Sequence, residues 1–380
     1  MVLSKPAFEQ GPIRPPNEAN SLLLRLTRNC PWNRCLFCPV YKTRKFSRRS
    51  ADEVKQDIFT IAEDKGKIIE ISKQEGHGGT INRAVVARIH SDYPELLPVA
   101  FWQYHGGETV FLQDGDSLQL PVDQLREILL LLKEKFPEIN RITTYARSRT
   151  ILRRSVEELS RLKEAGLGRV HVGMESGSDA VLEYMKKGVT GNQHLEAGQR
   201  IKEAGLSLSE YVLLGLGGKN LWREHALETA KVLNAINPHF IRFRTLAIHS
   251  NTPLAEEVEK GNFKPLHDDD VIREEDLLID SLDGITSYLY SDHILNLLEE
   301  ISGQFPEEKP RIKNTLERYL SFPQRKKELF RLGRRTGYFR TLADMDNPSL
   351  KEAVEDIYRQ VKNSGYSVDD YITRLLRRFI

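Results

Sequence analysis

Ser21-Leu-Leu-Leu-Arg-Leu-Thr27-Arg-Asn-Cys30-Pro-Trp-Asn-Arg-Cys35-Leu-Phe-Cys38 is the stretch whose reading decides the fold. Ser21 to Thr27 is a short apolar run that ends at Arg28 and Asn29, which reads as a buried strand leading into a loop. The loop carries all 3 cysteines of the chain, at the strand's C-terminal end. An odd number of cysteines in so short a stretch cannot build a disulfide framework, so the thiols need explaining as a cluster. Structural zinc is the plainer reading, but it wants a fourth Cys or His, and no histidine precedes His77. A four-iron cluster held by three thiolates leaves one iron open for a ligand, which turns the missing fourth residue into an asset.

Working outward, Ser50 precedes Val54, Ile58, Ile61 and Ala62 at helical spacing, so a capped amphipathic helix follows the loop. The segment 67–107 is less regular, with Gly76, Gly78 and Gly79 before a second helical stretch, and is expected to be an insertion. Further strands are expected at Thr109–Leu112, Arg141–Tyr145, Arg169–Met174, Glu210–Leu216 and Phe240–Leu246. Helical patterns lie between them at Val122–Phe136, Val156–Ala165, Gln193–Ala204 and Arg223–Ile236. This alternation of six strands with helices predicts an α/β fold, a parallel sheet curled into a partial (β/α)6 TIM-like barrel. Ligands in such folds sit at the C-terminal strand ends, where the cysteines lie. After about Lys264 strand signals cease, and residues 265–380 are expected to be a helical C-terminal appendage. Its last helix carries Val368, Ile372, Leu375, Leu376 and Phe379 on one stripe, with Arg374, Arg377 and Arg378 elsewhere. The expected organisation is thus an N-terminal extension 1–19, a barrel 20–264 and this appendage.

Composition narrows the function classes. The 380 residues are 39% hydrophobic and 29% charged, a balance that permits a core. Lys plus Arg, 56, against Asp plus Glu, 54, leaves a net charge of +2, far from a dedicated nucleic-acid binder. The longest aliphatic run, Ile128 to Leu132, is much shorter than the roughly 20 residues of a membrane span. With no apolar leader in the first residues, a cytoplasmic location is expected.

The cysteine loop resembles that of the radical S-adenosylmethionine superfamily, in which three closely spaced cysteines follow the first strand of a partial (β/α)6 barrel and an aromatic residue precedes the last cysteine. Phe37 holds that position here. The usual spacing is C-x3-C-x2-C; this chain has C-x4-C-x2-C, similar to the catalytic subunit of Elongator. The resemblance covers residues 20 to about 255, and it implies that Cys30, Cys35 and Cys38 hold a 4Fe-4S cluster. It further implies that the turn Asp114-Gly115-Asp116 stands in place of the family's Gly-Gly-Glu motif and receives the methionine ammonium, since an ammonium needs acceptor oxygens. The same resemblance assigns Glu175 to the ribose hydroxyls of S-adenosylmethionine, Lys187 to the methionine carboxylate and Leu246 to the adenine side. Arg147 and Arg244 are candidates for anionic groups in the barrel mouth. Some relatives carry an acid where Tyr211 stands.

What the resemblance implies for function is reductive cleavage of S-adenosylmethionine at the cluster, giving a 5'-deoxyadenosyl radical that acts on an unassigned substrate, small or macromolecular. An electron donor such as flavodoxin or ferredoxin would then be a partner. No cysteine remains for a second cluster, no Asp-x-His-x-x-Gly cobalamin motif occurs, and no acetyltransferase domain is recognisable in the helical tail. With every thiol assigned, a protein hydrogen donor would be a tyrosine, with Tyr104, Tyr145 and Tyr211 as candidates. The rival reading is a non-catalytic zinc-binding or iron-sulfur interaction module, RNA-associated or not. The stretches Arg44–Arg49 and Arg331–Arg340 keep a nucleic-acid partner open, although charge runs usually mark solvated faces.

Overall fold

Leu22, Leu24 and Leu26 are at most 1% exposed, so the run that opens the argument is indeed buried. The computed structural model describes residues 7–376. Ten strands occur among them: β1 (Leu22–Arg25), β2 (Thr27–Arg28), β3 (Ser47–Arg48), β4 (Thr109–Gln113), β5 (Arg141–Ala146), β6 (Leu167–Glu175), β7 (Ser207–Leu214), β8 (Phe240–Thr245), β9 (Tyr288–Tyr290) and β10 (Gly303–Gln304). Eight form one sheet in the order β1-β4-β5-β6-β7-β8-β9-β10, and β2 pairs with β3. The pairings β1·β4, β4·β5, β5·β6, β7·β8 and β8·β9 are parallel, while β9·β10 is antiparallel. Parallel neighbours joined through helices are the arrangement of a partial TIM-like barrel, as expected.

Sheet order also corrects the sequence reading. Strands do not cease after Lys264: β9 and β10 extend the sheet, and six strands become eight. At two and three residues they are too short to show alternation.

The chain divides into two compact units. The first comprises residues to Asn33, Thr43–Val172 and Gln199–Leu208; the second comprises Arg34–Lys42, Gly173–Gly198 and residues from Ser209 on. The C-terminal helices therefore share a unit with β8.

In the first unit, Ser50 opens the helix Ala51–Gln74 through a reciprocal capping box with Glu53, and Val54, Ile58, Ile61 and Ile68 are its buried stripe. The helix runs to Gln74 and so includes the start of the segment 67–107. The helices Arg83–Asp92 and Leu97–Tyr104 follow. Trp102 anchors that segment: its ring meets Phe136 edge-on at 5.3 Å, and its Nε1–H donates to the Thr109 carbonyl at 2.9 Å. Near the N-terminus Phe8 and Glu18 are buried.

In the second unit, Leu36, Val181, Met185, Leu216, Leu254 and Phe263 form a buried cluster against which Phe37 and Leu246 pack. Three arginines of the run 331–340 overturn the expectation of a solvated face, while Arg340 stays exposed. Arg331 is 1% exposed and pairs with Asp369 at 2.5 Å; Arg335 pairs with Asp268 at 2.5 Å, and Arg334 with Glu299. In the last helix, Val368–Leu376, Val368 and Ile372 are buried as the stripe requires. Arg377, Arg378 and Phe379 lie outside the described residues.

Candidate functional site

The cysteine loop is fastened within the second unit at Leu36. Its N–H donates to the Met185 carbonyl at 3.0 Å, and its carbonyl accepts from the Leu254 N–H at 3.1 Å. The Lys42 ammonium donates to the Cys35 carbonyl. These bonds clip Cys35, Phe37 and Cys38 between the end of the helix Asp179–Tyr184 and the start of the helix Pro253–Glu259. All three thiols are half-buried and none is in a disulfide among the described residues, Cys30 being counted with the first unit and Cys35 and Cys38 with the second. Three thiols on one loop are a donor set suited to an iron-sulfur centre. Among the described residues, no group of three or more His, Cys, Asp or Glu side chains is already assembled to hold a metal ion.

Beside Phe37 the structure brings together two further sequence candidates. Lys187 Nζ lies 5.9 Å from the Phe37 ring centroid and 3.2 Å from Glu175 Oε1. Glu175 ends β6 with a left-handed backbone, φ 67°, and its side chain stays partly exposed, while Lys187 is buried down to its tip. Gly173 makes this possible, since a Cβ there would stand 2.4 Å from Glu175 Oε1. The turn that follows is held by a polar knot. Ser176 Oγ donates to His225 Nδ1 at 2.8 Å, and His225 Nε2 faces the Leu213 carbonyl at 3.2 Å, which can only accept, so the proton sits on Nε2. Burial pushes the His225 imidazole down to about 4, which keeps it neutral. Gly177 N–H donates to Thr229 Oγ1 at 2.9 Å, and a Cβ at Gly177 would lie 2.3 Å from the Glu228 carbonyl.

Glu210 is a group the sequence reading missed. It is fully buried, and neither carboxyl oxygen has a hydrogen-bond partner. Burial pushes its pKa well above the carboxylate range; the positive charge of Lys187 opposes this and the negative charge of Glu175 adds to it. The expected strand began at Glu210, so the acid looked like an edge residue. The strand begins at Ser207 and places Glu210 in its interior.

Arg244 is balanced at home. Its Nη1 lies 3.0 Å from Asp292, and the guanidinium covers the Tyr211 ring at 5.0 Å. Asp292 follows β9, the strand invisible in sequence. Leu246 donates its N–H to the Leu214 carbonyl at 2.9 Å and lines a cavity of about 70 Å³ with Gly215, Ile248, Val271 and Leu295. Gly215 N–H donates to Glu274 at 2.5 Å, and burial raises that carboxyl to about 8.

The turn expected to receive an ammonium lies in the first unit and is engaged internally. Asp114 accepts from Arg25 Nη2 at 2.8 Å and from the Asn29 N–H at 3.3 Å. Asp116, with no exposure, accepts from Thr150 Oγ1 at 2.5 Å and Gln119 Nε2 at 3.2 Å, and burial raises its carboxyl to about 6. Gly115 between them is half-buried. Arg147 covers the Trp32 ring at 5.2 Å. Of the tyrosines, Tyr145 packs edge-on to Phe111 at 5.1 Å, Tyr211 is 7% exposed, and Tyr104 is exposed.

Residues 91–230 match the profile of the Radical SAM superfamily. That match covers a little over a third of the chain. The chain is 23% identical over 117 residues to a tRNA uridine(34) acetyltransferase of Methanocaldococcus jannaschii, covering 30% of this chain and 22% of that one. It is 26% identical over 130 residues to the heme chaperone HemW of Bacillus subtilis, 34% of each chain. The chain thus spans about a fifth to a third of these relatives. Among solved structures, the cobalamin-dependent S-adenosylmethionine radical enzyme OxsB is similar with a TM-score of 0.45 at 15% identity, covering 93% of this chain and 57% of that one. Methylornithine synthase, PylB, gives 0.43 at 13% identity, covering 87% and 86%. Among the described residues no helix is long and apolar enough to cross a membrane.

Proposed function

We propose that this chain is a radical SAM enzyme with a single cluster, held by Cys30, Cys35 and Cys38, that binds S-adenosylmethionine at Phe37, Glu175 and Lys187 and cleaves it reductively for use on an unassigned substrate. The observation that carries this reading is the meeting of those last three side chains in one unit beside the cysteine loop. When bound, such a cluster supplies one electron to a sulfonium. Everything else falls to the chain. Glu175, partly exposed, offers a carboxylate to two vicinal hydroxyl donors, and its left-handed backbone with Gly173 behind it fixes where that carboxylate points. Lys187 supplies a positive charge for a ligand carboxylate while remaining tethered to Glu175. The neutral His225 holds the turn beyond Glu175 without bringing a charge of its own. Apolar side chains about Phe37 exclude water, which protects a reactive carbon radical.

Anaerobic reconstitution tests the reading. The chain is expected to bind about four irons, each Cys→Ala variant to lose them, and the reduced chain to form 5'-deoxyadenosine from S-adenosylmethionine. Stoichiometric zinc, little iron and no 5'-deoxyadenosine would establish the interaction module instead.

A further inference from the structure

Within the second unit, one face of β7, β8 and β9 carries charge among aromatic rings. Register sets Arg242 between Tyr211 and Tyr290, Arg244 beside Leu213, and Phe240 beside Tyr288. Alternation along each strand puts these residues on a common face. The other face of β8 and β9 carries Ile241, Phe243 and Leu289, apolar and without exposure. On the charged face Phe240, Tyr288 and Tyr290 are only half-buried. The Arg242 guanidinium stands 4.2 Å from the Tyr290 ring centre and that of Arg244 5.0 Å from the Tyr211 ring centre, so both are steadied by aromatic faces.

One carboxylate spans both guanidiniums. Asp292 Oδ2 lies 3.1 Å from Arg242 Nη1, and Oδ1 lies 3.0 Å from Arg244 Nη1. Among the described residues no second acidic side chain pairs with either arginine. The neighbouring His293 adds no charge, because burial and Arg244 push its imidazole down to about 4. Two cations facing one anion leave a positive charge over. Donors are left over as well: Arg242 Nε and Arg244 Nη2 are buried without a hydrogen-bond partner, a state that costs free energy until an acceptor arrives. The arginine side chains are 3% and 12% exposed, whereas Asp292 keeps 33%. Its loop is pinned on both sides. Ser291 N–H donates to Ser302 Oγ and Ser291 Oγ to the Leu298 carbonyl, while Asn296 Nδ2 donates to the Phe243 carbonyl. The Asp292 side chain, rather than its backbone, is therefore the part that can leave.

We propose that Arg242 and Arg244 anchor a carboxylate of the substrate, and that Asp292 is an internal carboxylate which the substrate displaces. The bridge that Asp292 makes shows the anion this pair accepts: two oxygens, one to each guanidinium. Asp292 turned towards water stays nearby, so one incoming carboxylate balances the second arginine. A phosphate monoester, with about −1.5 to −2 charges, would overshoot. The half-buried rings beside the pair suit an apolar body attached to that carboxylate. The inference rests on the proposed function for there being a substrate, but the binding it describes needs no cluster.

The test titrates the full chain, without added iron, with phenylacetate, phenylacetamide and phenyl phosphate, reading dissociation constants from NMR of each probe. Phenylacetate is expected to bind at least about ten-fold more tightly than its neutral amide and more tightly than phenyl phosphate. R242Q/R244Q should lose that preference. Asp292→Asn should strengthen phenylacetate binding several-fold, because the internal competitor is gone; a merely structural ion pair predicts no gain. If the double variant fails to fold, Asp292→Asn and the single, more exposed Arg244→Gln decide. Equal affinity for acid and amide would overturn the inference, as would a preference for phenyl phosphate or an unchanged or weaker phenylacetate affinity in Asp292→Asn. It would also fall if R242Q/R244Q, reconstituted with iron and sulfide, lost S-adenosylmethionine affinity while phenylacetate affinity stayed as in the parent. Absence of 5'-deoxyadenosine from the reduced, reconstituted parent would instead overturn the proposed function, so the two failures are distinguishable.

Discussion

Asp114 and Asp116 in the first unit and Glu175 in the second were read from sequence as acceptors for one ligand, yet the fold treats them in opposite ways. The aspartates are sealed, one against Arg25 and the other under Thr150 and Gln119. Glu175 is partly exposed and holds a single cation, Lys187. A carboxylate already supplied with donors and shut away from water stabilises or strains the fold; one with a single partner and access to solvent can exchange that partner for a ligand. Position in a motif series finds both kinds, and only burial and partners separate them.

The largest effect should come from opening the sealed pair. Arg25→Leu leaves the Asp114 carboxyl buried without its cation, and breaking a buried pair from one side costs about 3–5 kcal/mol. Urea unfolding should show a loss of that size, and Arg25→Leu with Asp114→Asn should recover a large part of it. A loss under about 1 kcal/mol for the single variant would mean that the aspartate is not sealed.

Asp116 sharpens the same contrast through pH. Burial raises its carboxyl from 3.8 to about 6, so the folded chain favours the protonated form. Its stabilising contribution is complete below pH 3.8 and is lost as pH rises through about 6, with a total near 3 kcal/mol. Asp116→Asn keeps an acceptor for Thr150 and does not titrate, so the difference in unfolding free energy between parent and variant should shift in the variant's favour across that window. A difference that stays constant with pH would show that folding leaves the carboxyl's pKa where it is in the unfolded chain.

How much of this was legible in sequence follows from the range of each signal. Strand β1 and the helix Ala51–Gln74 were readable because an apolar run and a Ser50 cap are local. The three cysteines on one loop were readable for the same reason. Strands β9 and β10 were not, being too short for periodicity, and with them went Asp292 and the fate of Arg244. Glu210 was hidden because an acid inside an apolar strand looks like its boundary. The two arginine runs show the limit most clearly: Arg44 and Arg48 are exposed while Arg331, Arg334 and Arg335 are buried in ion pairs. Nothing in either run says which acids will meet it, because Asp369, Glu299 and Asp268 arrive from other segments.

The smallest expected effect on stability is on the open side of the comparison. Glu175 and Lys187 keep 18% and 11% of their side chains exposed, so their mutual attraction is screened and competes with the entropy of two flexible side chains. A double-mutant cycle with Glu175→Gln and Lys187→Met should return a coupling of about 1 kcal/mol or less in unfolding free energy. The same Glu175→Gln chain, with its cluster intact, should lose S-adenosylmethionine affinity by about 1.5–3 kcal/mol, as expected for a hydrogen bond to a charged group. The two numbers belong together. A coupling of 3 kcal/mol or more, on the order of a sealed pair, combined with unchanged ligand affinity would place Glu175 with Asp114 as part of the scaffold, and would remove the distinction on which the binding site rests.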